Sequence, residues 1–250
     1  MKVTRLSWAG LYIQSGSTNI LIDPLQNISE RMIQFLGPPK EPIIELPGNI
    51  GNPHVFVTHI HPDHFDLETV SYLINDSSTF YAPTDVVNVA KKDGLTGIIP
   101  TLYEPILAGQ LTVTAVPAVD WVGDEQVSWV ITDGTKRIFH GGDTGWHGYW
   151  WKFEKMFGPF DAVFLPVNGA TGQVPGIEPA SDIPGSLTPK EAVTAARILK
   201  AKALVPIHYD LFNNPPSYNQ YANLDESLKI ESQEQKVAIR YLKAGDTIEI

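Results

Sequence analysis

The chain has 250 residues, 43% of them apolar and 18% charged, with a formal net charge of −10, which suits a folded core and excludes wholesale disorder. A surface this acidic argues against nucleic acid, which demands Lys and Arg to replace phosphate counterions, and against anionic membranes. The complete lack of cysteine excludes disulfides and thiolate metal sites.

The opening reads as short strands joined by glycine turns: "VTRLSW", "LYIQSG" and "NILIDP". The β-branched run "HVFVTHI" reads as a buried strand. In "DLETVSYLI", Leu67, Val70, Leu73 and Ile74 recur at helical spacing, with Asp66 as N-cap. The strand "STFYAP" and the helix "TDVVNVAKKDG" follow, and Gly94 suits the helix stop. "QLTVTAVPA", "QVSWVITDG", "KRIFHGGD" and "DAVFLPVNG" read as further strands. "TPKEAVTAARILKAK" is a helix with Thr188 as N-cap, Pro189 at N1 and Glu191 at N3. "ALVPIHYD", "KVAIRYL" and "DTIEI" read as the last strands. Strands in runs with intervening helices predict an α/β (α+β) class of sheet layers covered by helices. No repeat, low-complexity tract or linker divides the chain, so a single domain over 1–250 is expected. Residues 26–53 and 169–187 read as long irregular stretches of the kind that form lids. Polar residues interrupt the first apolar run and no run reaches membrane-spanning length, which gives the expectation of a soluble, cytoplasmic protein.

The chemistry concentrates in "THIHPDH". His59, His61, Asp63 and His64 fall within six positions of a chain that has seven histidines. Alternate residues of a strand share a face, so His59 and His61 can offer two imidazoles to one ion. Beyond Pro62 the chain turns, and Asp63 and His64 can reach a second position beside the first. Imidazole with carboxylate suits zinc, iron or manganese. The remaining ligands are expected where other apolar strands end in polar residues: His140 and Asp143 in "IFHGGD", His208 and Asp210 in "PIHYD", and Asp120 in "VPAVD". Asp143 is chosen to bridge two cations through its two oxygens.

In order and separation, "LIDP", "THIHPDH", "GGDTG" and "PIHYD" resemble the metallo-β-lactamase-fold hydrolases, and "YLKAGDTIEI" resembles that superfamily's closing strands. "GSTNILIDP", "VPA", "PVNG" and "LTPKEAVTAARILKAKALVPIHYD" resemble most the branch containing L-ascorbate-6-phosphate lactonase. The resemblance implies a four-layer αββα sandwich with the metal centre at one edge between two sheets. It implies His59 and His61 on a first metal, Asp63, His64 and His208 on a second, and Asp143 between them. Asp23 would lie beneath, orienting ligands by hydrogen bonds, and Asn168 would approach the substrate. Where relatives carry a histidine after "AVPA", this chain has Val119 and Asp120, and Asp120 reads as the substitute ligand; a carboxylate there favours manganese or iron over zinc. Ala170 and Thr171 stand where the lactonase branch has charged residues, which leaves the substrate open.

The function expected is hydrolysis of an ester, lactone or phosphoester by water activated between two divalent ions, manganese or zinc, with iron as a third option. The rival is a non-catalytic or regulatory metal-binding module with an impaired first site. Asp63 is a candidate base as well as a ligand, and His147 and Tyr209 are candidate acids. Trp146, Trp150 and Trp151 read as core aromatics first and pocket walls second. The partner expected is a small-molecule substrate, with no nucleic acid and no stable membrane association; a homo-oligomer stays open. Phospholipase D-like and β-lactamase roles rank low, since neither an amphipathic membrane helix nor a secretion signal is evident.

Overall fold

The computed structural model describes residues 1–48, 50–75 and 78–250. The first half runs β1 (Lys2–Arg5), β2 (Leu11–Ser15), β3 (Thr18–Ile22), α1 (Glu30–Leu36), β4 (His54–Phe56), α2 (Leu67–Leu73), β5 (Thr79–Tyr81), α3 (Thr84–Lys92) and β6 (Gly97–Ile98). Then come β7 (Pro105–Ala108), β8 (Leu111–Pro117), β9 (Val127–Thr132), β10 (Arg137–His140), α4 (Trp150–Phe157), β11 (Ala162–Pro166) and β12 (Thr171–Gly172). The chain closes with α5 (Pro189–Ile198), β13 (Leu204–Ile207), β14 (Tyr218–Asn219), α6 (Leu224–Gln235) and β15 (Thr247–Glu249).

Two mixed sheets carry the fold, in the orders β15-β1-β2-β3-β4-β5-β6 and β13-β11-β10-β9-β8-β7, with β12 and β14 as a small separate pair. Consecutive strands make most of the antiparallel pairs, β1 pairs antiparallel with the C-terminal β15, and β3-β4-β5-β6 and β10-β11-β13 run parallel. The sheets bury their facing sides against each other: Leu11, Ile13, Ile22 and Phe56 share one apolar core with Val113, Trp129, Ile138 and Phe164. On its other side the first sheet packs Leu21, Val55 and Phe80 against Val70 of α2 and Val86 of α3. The second sheet packs Val130, Phe139 and Leu165 against Phe153 of α4, Val193 of α5 and Leu228 of α6. Three apolar layers between four structural ones make the αββα sandwich. The central strands are therefore buried on both faces, which is why "VSWVI" in β9 and "AVFLP" in β11 read as continuous apolar runs rather than alternating ones.

The caps follow their sequence signals. Asp66 accepts from the Thr69 N–H at the start of α2. At α5 the Thr188 hydroxyl accepts from the Glu191 N–H while the Glu191 carboxylate accepts from the Thr188 N–H, so two orphan donors are satisfied reciprocally. Thr188→Ala is expected to cost about 1 kcal/mol and lower Tm by about 2–4 °C, measured by thermal denaturation.

Other expectations are corrected. "HVFVTHI" leaves the ladder after Phe56, because the Asp23 carboxylate captures both the N–H (2.8 Å) and the hydroxyl (2.7 Å) of Thr58. "KVAIRYL" forms only an isolated bridge, Ile239 with Leu204, rather than a strand. The stretch 26–53 contains α1, whose Met32 and Leu36 are buried. The expected strand "STFYAP" is regular over Thr79–Tyr81.

Candidate metal centre

Six segments deliver side chains to one edge between the two sheets. Asp23 follows β3, His59 to His64 follow β4, Asp120 follows β8, Asp143 follows β10, Asn168 follows β11 and His208 follows β13. The backbone is strained there. Trp8, Asp23 and His208 are non-glycine residues at φ of 60°, 45° and 58°, each costing on the order of 1–3 kcal/mol against relaxed geometry. Gly142, at φ 64°, lets the Asp143 turn lie against Thr58, where a Cβ would stand 3.1 Å from the threonine side chain.

The result is three overlapping groups with ligand atoms within 4.8 Å of one another: His59, His61 and Asp120; His59, His64 and Asp143; and Asp63, His64 and His208. All seven residues expected as ligands are thus brought together. Their outward atoms are anchored. His59 Nδ1 donates to Thr58 Oγ1 (3.0 Å), His64 Nδ1 to Asp23 Oδ2 (2.8 Å) and His208 Nδ1 to Asn168 Oδ1 (3.2 Å). This leaves the Nε2 atoms of His59 and His208 as lone-pair donors, and that of His64 as one once its imidazolium loses its proton. The Nε2 atoms of His59, His64 and His208 are buried with no hydrogen-bond partner. Such orphaned acceptors are costly in an apolar interior unless a cation takes them up.

Asp120 is prepared in the same way. Its Oδ1 accepts the backbone N–H groups of Val122, Gly123 and Asp124 at 2.7, 2.8 and 2.9 Å. Its Oδ2 is buried, has no hydrogen-bond partner, and stands 3.5 Å from His61 Nε2. Asp143 is split between the groups: Oδ1 faces His59 Nε2 at 3.5 Å, and Oδ2 faces the Nε2 atoms of His64 and His208, each at 3.9 Å. Asp63 Oδ2 lies 3.6 Å from His64 Nε2 and 3.5 Å from His208 Nε2.

The electrostatics follow. Burial, helped by the neighbouring imidazoles, pushes His59 well below its ordinary pKa and keeps it neutral. Burial opposes the His64 imidazolium too, but Asp63, Asp23 and Asp143 outweigh it and raise His64 to about 9. A cation entering this site must displace that proton. Metal affinity is therefore expected to rise about tenfold per pH unit from neutrality towards about 9 and then level off, as read from competition titrations with a chelator. Burial likewise works against the Asp63 carboxylate, but His64 and His208 hold it well below the usual range.

Several participants carry no sequence signal. Trp8 donates its indole N–H to Asp63 Oδ2 (2.8 Å) and lies against the His208 ring, centroids 4.0 Å apart. Gln126 donates to Asp143 Oδ1 (2.9 Å), and Asp124 Oδ2 approaches His61 Nε2 at 3.2 Å. Tyr218 is buried, accepts from Asn168 Nδ2 (2.6 Å) and has no acceptor for its own proton among the described residues. Its pKa is driven well up, first by burial and then by the nearby Asp63 and Asp143 charges.

Other candidates lie elsewhere. His147 stacks on Trp150 at 4.0 Å and packs with Phe153, and burial lowers it to about 4, so it is neutral at pH 7 and has no proton to give as an acid. Tyr209 turns away from His208 to lie under the Arg5 guanidinium, 4.9 Å from its ring centre. His140 bonds the Ala9 carbonyl (2.8 Å), and Asp210 pairs with Gln220 (2.7 Å). Asn168 is occupied by His208, Ser186 and Tyr218, so it supports a ligand rather than facing the substrate. Trp150 is core, Trp151 is exposed, and Trp146 lines a side cavity with Trp121.

A cleft of about 680 Å³ opens onto Asp63, Asp143, His61 and His208, walled by α1 and by the 169–187 stretch. Both irregular stretches thus border the site.

A family model described as "Beta-lactamase superfamily domain" matches residues 18–209, which include every grouped ligand. The chain belongs to the beta-lactamase superfamily. This member is 28% identical to a UPF0173 metal-dependent hydrolase of Methanoculleus marisnigri, over 98% of this chain and 96% of that one. It is 27% identical to another so named from Pyrococcus furiosus, over all of both chains. Its fold matches an isothiocyanate hydrolase from Delia radicum gut bacteria with a TM-score of 0.76, at 19% identity, over 100% of this chain and 99% of that one. No helix among the described residues is long and apolar enough to cross a membrane.

Proposed function

We propose that this superfamily member is a metal-dependent hydrolase holding two divalent cations, manganese, zinc or iron, and cleaving an ester, lactone or phosphoester of a small molecule. The carrying observation is the set of buried, unpartnered ligand atoms on His59, His64, His208 and Asp120, aimed inward beside Asp63 and Asp143. The name shared by its relatives agrees with it. The missing first-site histidine favours a non-catalytic module, whereas the buried Asp120 Oδ2, without a hydrogen-bond partner beside His59 and His61, supports the hydrolase reading.

Cations held by these groups would supply a water of lowered pKa and would polarise the oxygen of the scissile group. The chain's own residues do the rest. Asp120, His59 and His61 would hold one ion and Asp63, His64 and His208 the other, with Asp143 within reach of both groups. The low pKa of Asp63 favours ligation over proton transfer. Tyr218 replaces His147 and Tyr209 as proton donor: its phenol borders the cleft, and its free O–H can bond the developing anion or leaving group.

Hydrolysis of a panel of esters, lactones and phosphoesters by metal-loaded and chelator-stripped protein tests the reading. Turnover by the loaded form alone supports it; equal rates in both forms refute it. Tyr218→Phe is expected to lower kcat by about 10²-fold with metal content unchanged, by steady-state kinetics and elemental analysis.

A further inference from the structure

We propose that the substrate is an ester with an apolar body, an alkyl chain or aromatic ring, on the carbonyl whose acyl C–O bond is broken by water, and is not a phosphorylated metabolite. This rests on the hydrolase reading above and narrows it.

The first argument is the wall of the cleft. The cleft that holds the carboxylates and imidazoles is also lined by Met32 and Phe35 from α1, Trp121 and Val122 from the turn after β8, and Val174 and Ile177 from the 169–187 stretch. Ile177 is 48% exposed, and Trp121 and Val174 are half-buried, so apolar surface is left uncovered beside a polar centre. Trp121 is held in place: a Cβ at Gly185 would stand 2.1 Å from its ring, so the stretch lies flat on the indole. At about 680 Å³ the cleft is the size of a small-molecule site, and its lining combines the carboxylates and imidazoles with apolar side chains.

The second argument is charge. The charge of two divalent cations would be more than offset by the five carboxylates at the site, Asp23, Asp63, Asp120, Asp124 and Asp143. Among the described residues lining the cleft, Arg31 is the only Lys or Arg, and it is exposed at the mouth. A phosphate dianion is recognised by several Lys or Arg groups or by free N–H groups at a helix start. Here the α1 start is capped by its own Ser29, and the whole chain is acidic. The surplus positive charge that a phosphate needs is missing, while an uncharged ester with an apolar tail matches both the polar and the apolar lining of the cleft.

Binding to the zinc-loaded chain tests this independently of turnover. Octanoate, acetate and glucose 6-phosphate would be titrated against tryptophan fluorescence, with Trp121→Phe to assign the signal and calorimetry as a second readout. Acetate shares the carboxylate of octanoate and so subtracts its attraction to the metal. Octanoate is expected to bind at least about tenfold more tightly than acetate and more tightly than the sugar phosphate. Ile177→Asp, on an exposed position, is expected to erase that preference with zinc content unchanged. Octanoate no better than acetate, or the sugar phosphate tighter than octanoate, overturns the proposal. Failure of the hydrolase reading has a different signature: the octanoate preference holds but no octanoate ester is turned over.

Discussion

Asp143→Ala is expected to retain its fold by circular dichroism, to hold fewer than two metal ions per chain, and to lose at least about 10³-fold in kcat/KM. The expectation follows from where the two oxygens of Asp143 point. One faces His59 and the other faces His64 and His208, so this carboxylate belongs to both halves of the site. Its removal also strands Gln126, which donates to it from β9's approach. Asp143→Asn keeps the shape but removes the charge that opposes two adjacent cations, and it is expected to fall between the alanine variant and the parent. Two ions and full activity in Asp143→Ala would show that the halves of the site do not depend on a shared ligand.

Asp120→Ala is expected to leave one tightly held ion in place of two and to cost at least about 10²-fold in kcat/KM. Here the residue departs from the histidine that the metallo-β-lactamase resemblance implies, and the loop explains how a shorter side chain serves. Three successive backbone N–H groups hold Oδ1, so Oδ2 is fixed before any ion arrives. A ligand fixed in this way loses little entropy on binding. The hard carboxylate also leads us to expect manganese or iron to compete better against zinc in the parent than in Asp120→His. Equal metal content in Asp120→Ala and the parent, by elemental analysis, would return Asp120 to the role of a turn-forming residue.

The residues that converge on the candidate site were legible in the sequence because each is a polar residue at or just after the end of an apolar run, and such residues gather where the strands of a layered sheet stop. His59, His61, Asp63, His64, Asp120, Asp143 and His208 all satisfy that rule, and Asp23 beneath them does so in "LIDP". The same rule also admitted His140 and Asp210, which point elsewhere, because it locates strand ends but not side-chain directions. Supporting residues were hidden for the opposite reason. Trp8 reads as an apolar residue of an early strand, and only its left-handed backbone turns the indole N–H to Asp63. Tyr218 comes from an aperiodic stretch and reaches the cleft through the two-residue pairing of β14 with β12, for which no sequence pattern exists.

In the fold, the sheets and the capped helices α2 and α5 were legible from periodicity and cap chemistry. Helix α4 begins on "WWKF", where aromatic residues mask the period, and α6 buries only Leu224 and Leu228 in twelve largely polar residues. The strand expected over "HVFVTHI" is shorter than its β-branched composition suggests, because Asp23 takes the backbone donor that the ladder would have used. That exchange releases His59 and His61 from strict alternation, yet their rings still lie 4.4 Å apart.

The most direct measurement is anomalous X-ray scattering from crystals grown with manganese or zinc. Two peaks are expected, one among His59, His61 and Asp120, the other among Asp63, His64 and His208, with Asp143 reaching both. A single peak or none at full metal saturation, with the imidazoles turned away from the gap between them, would contradict the account.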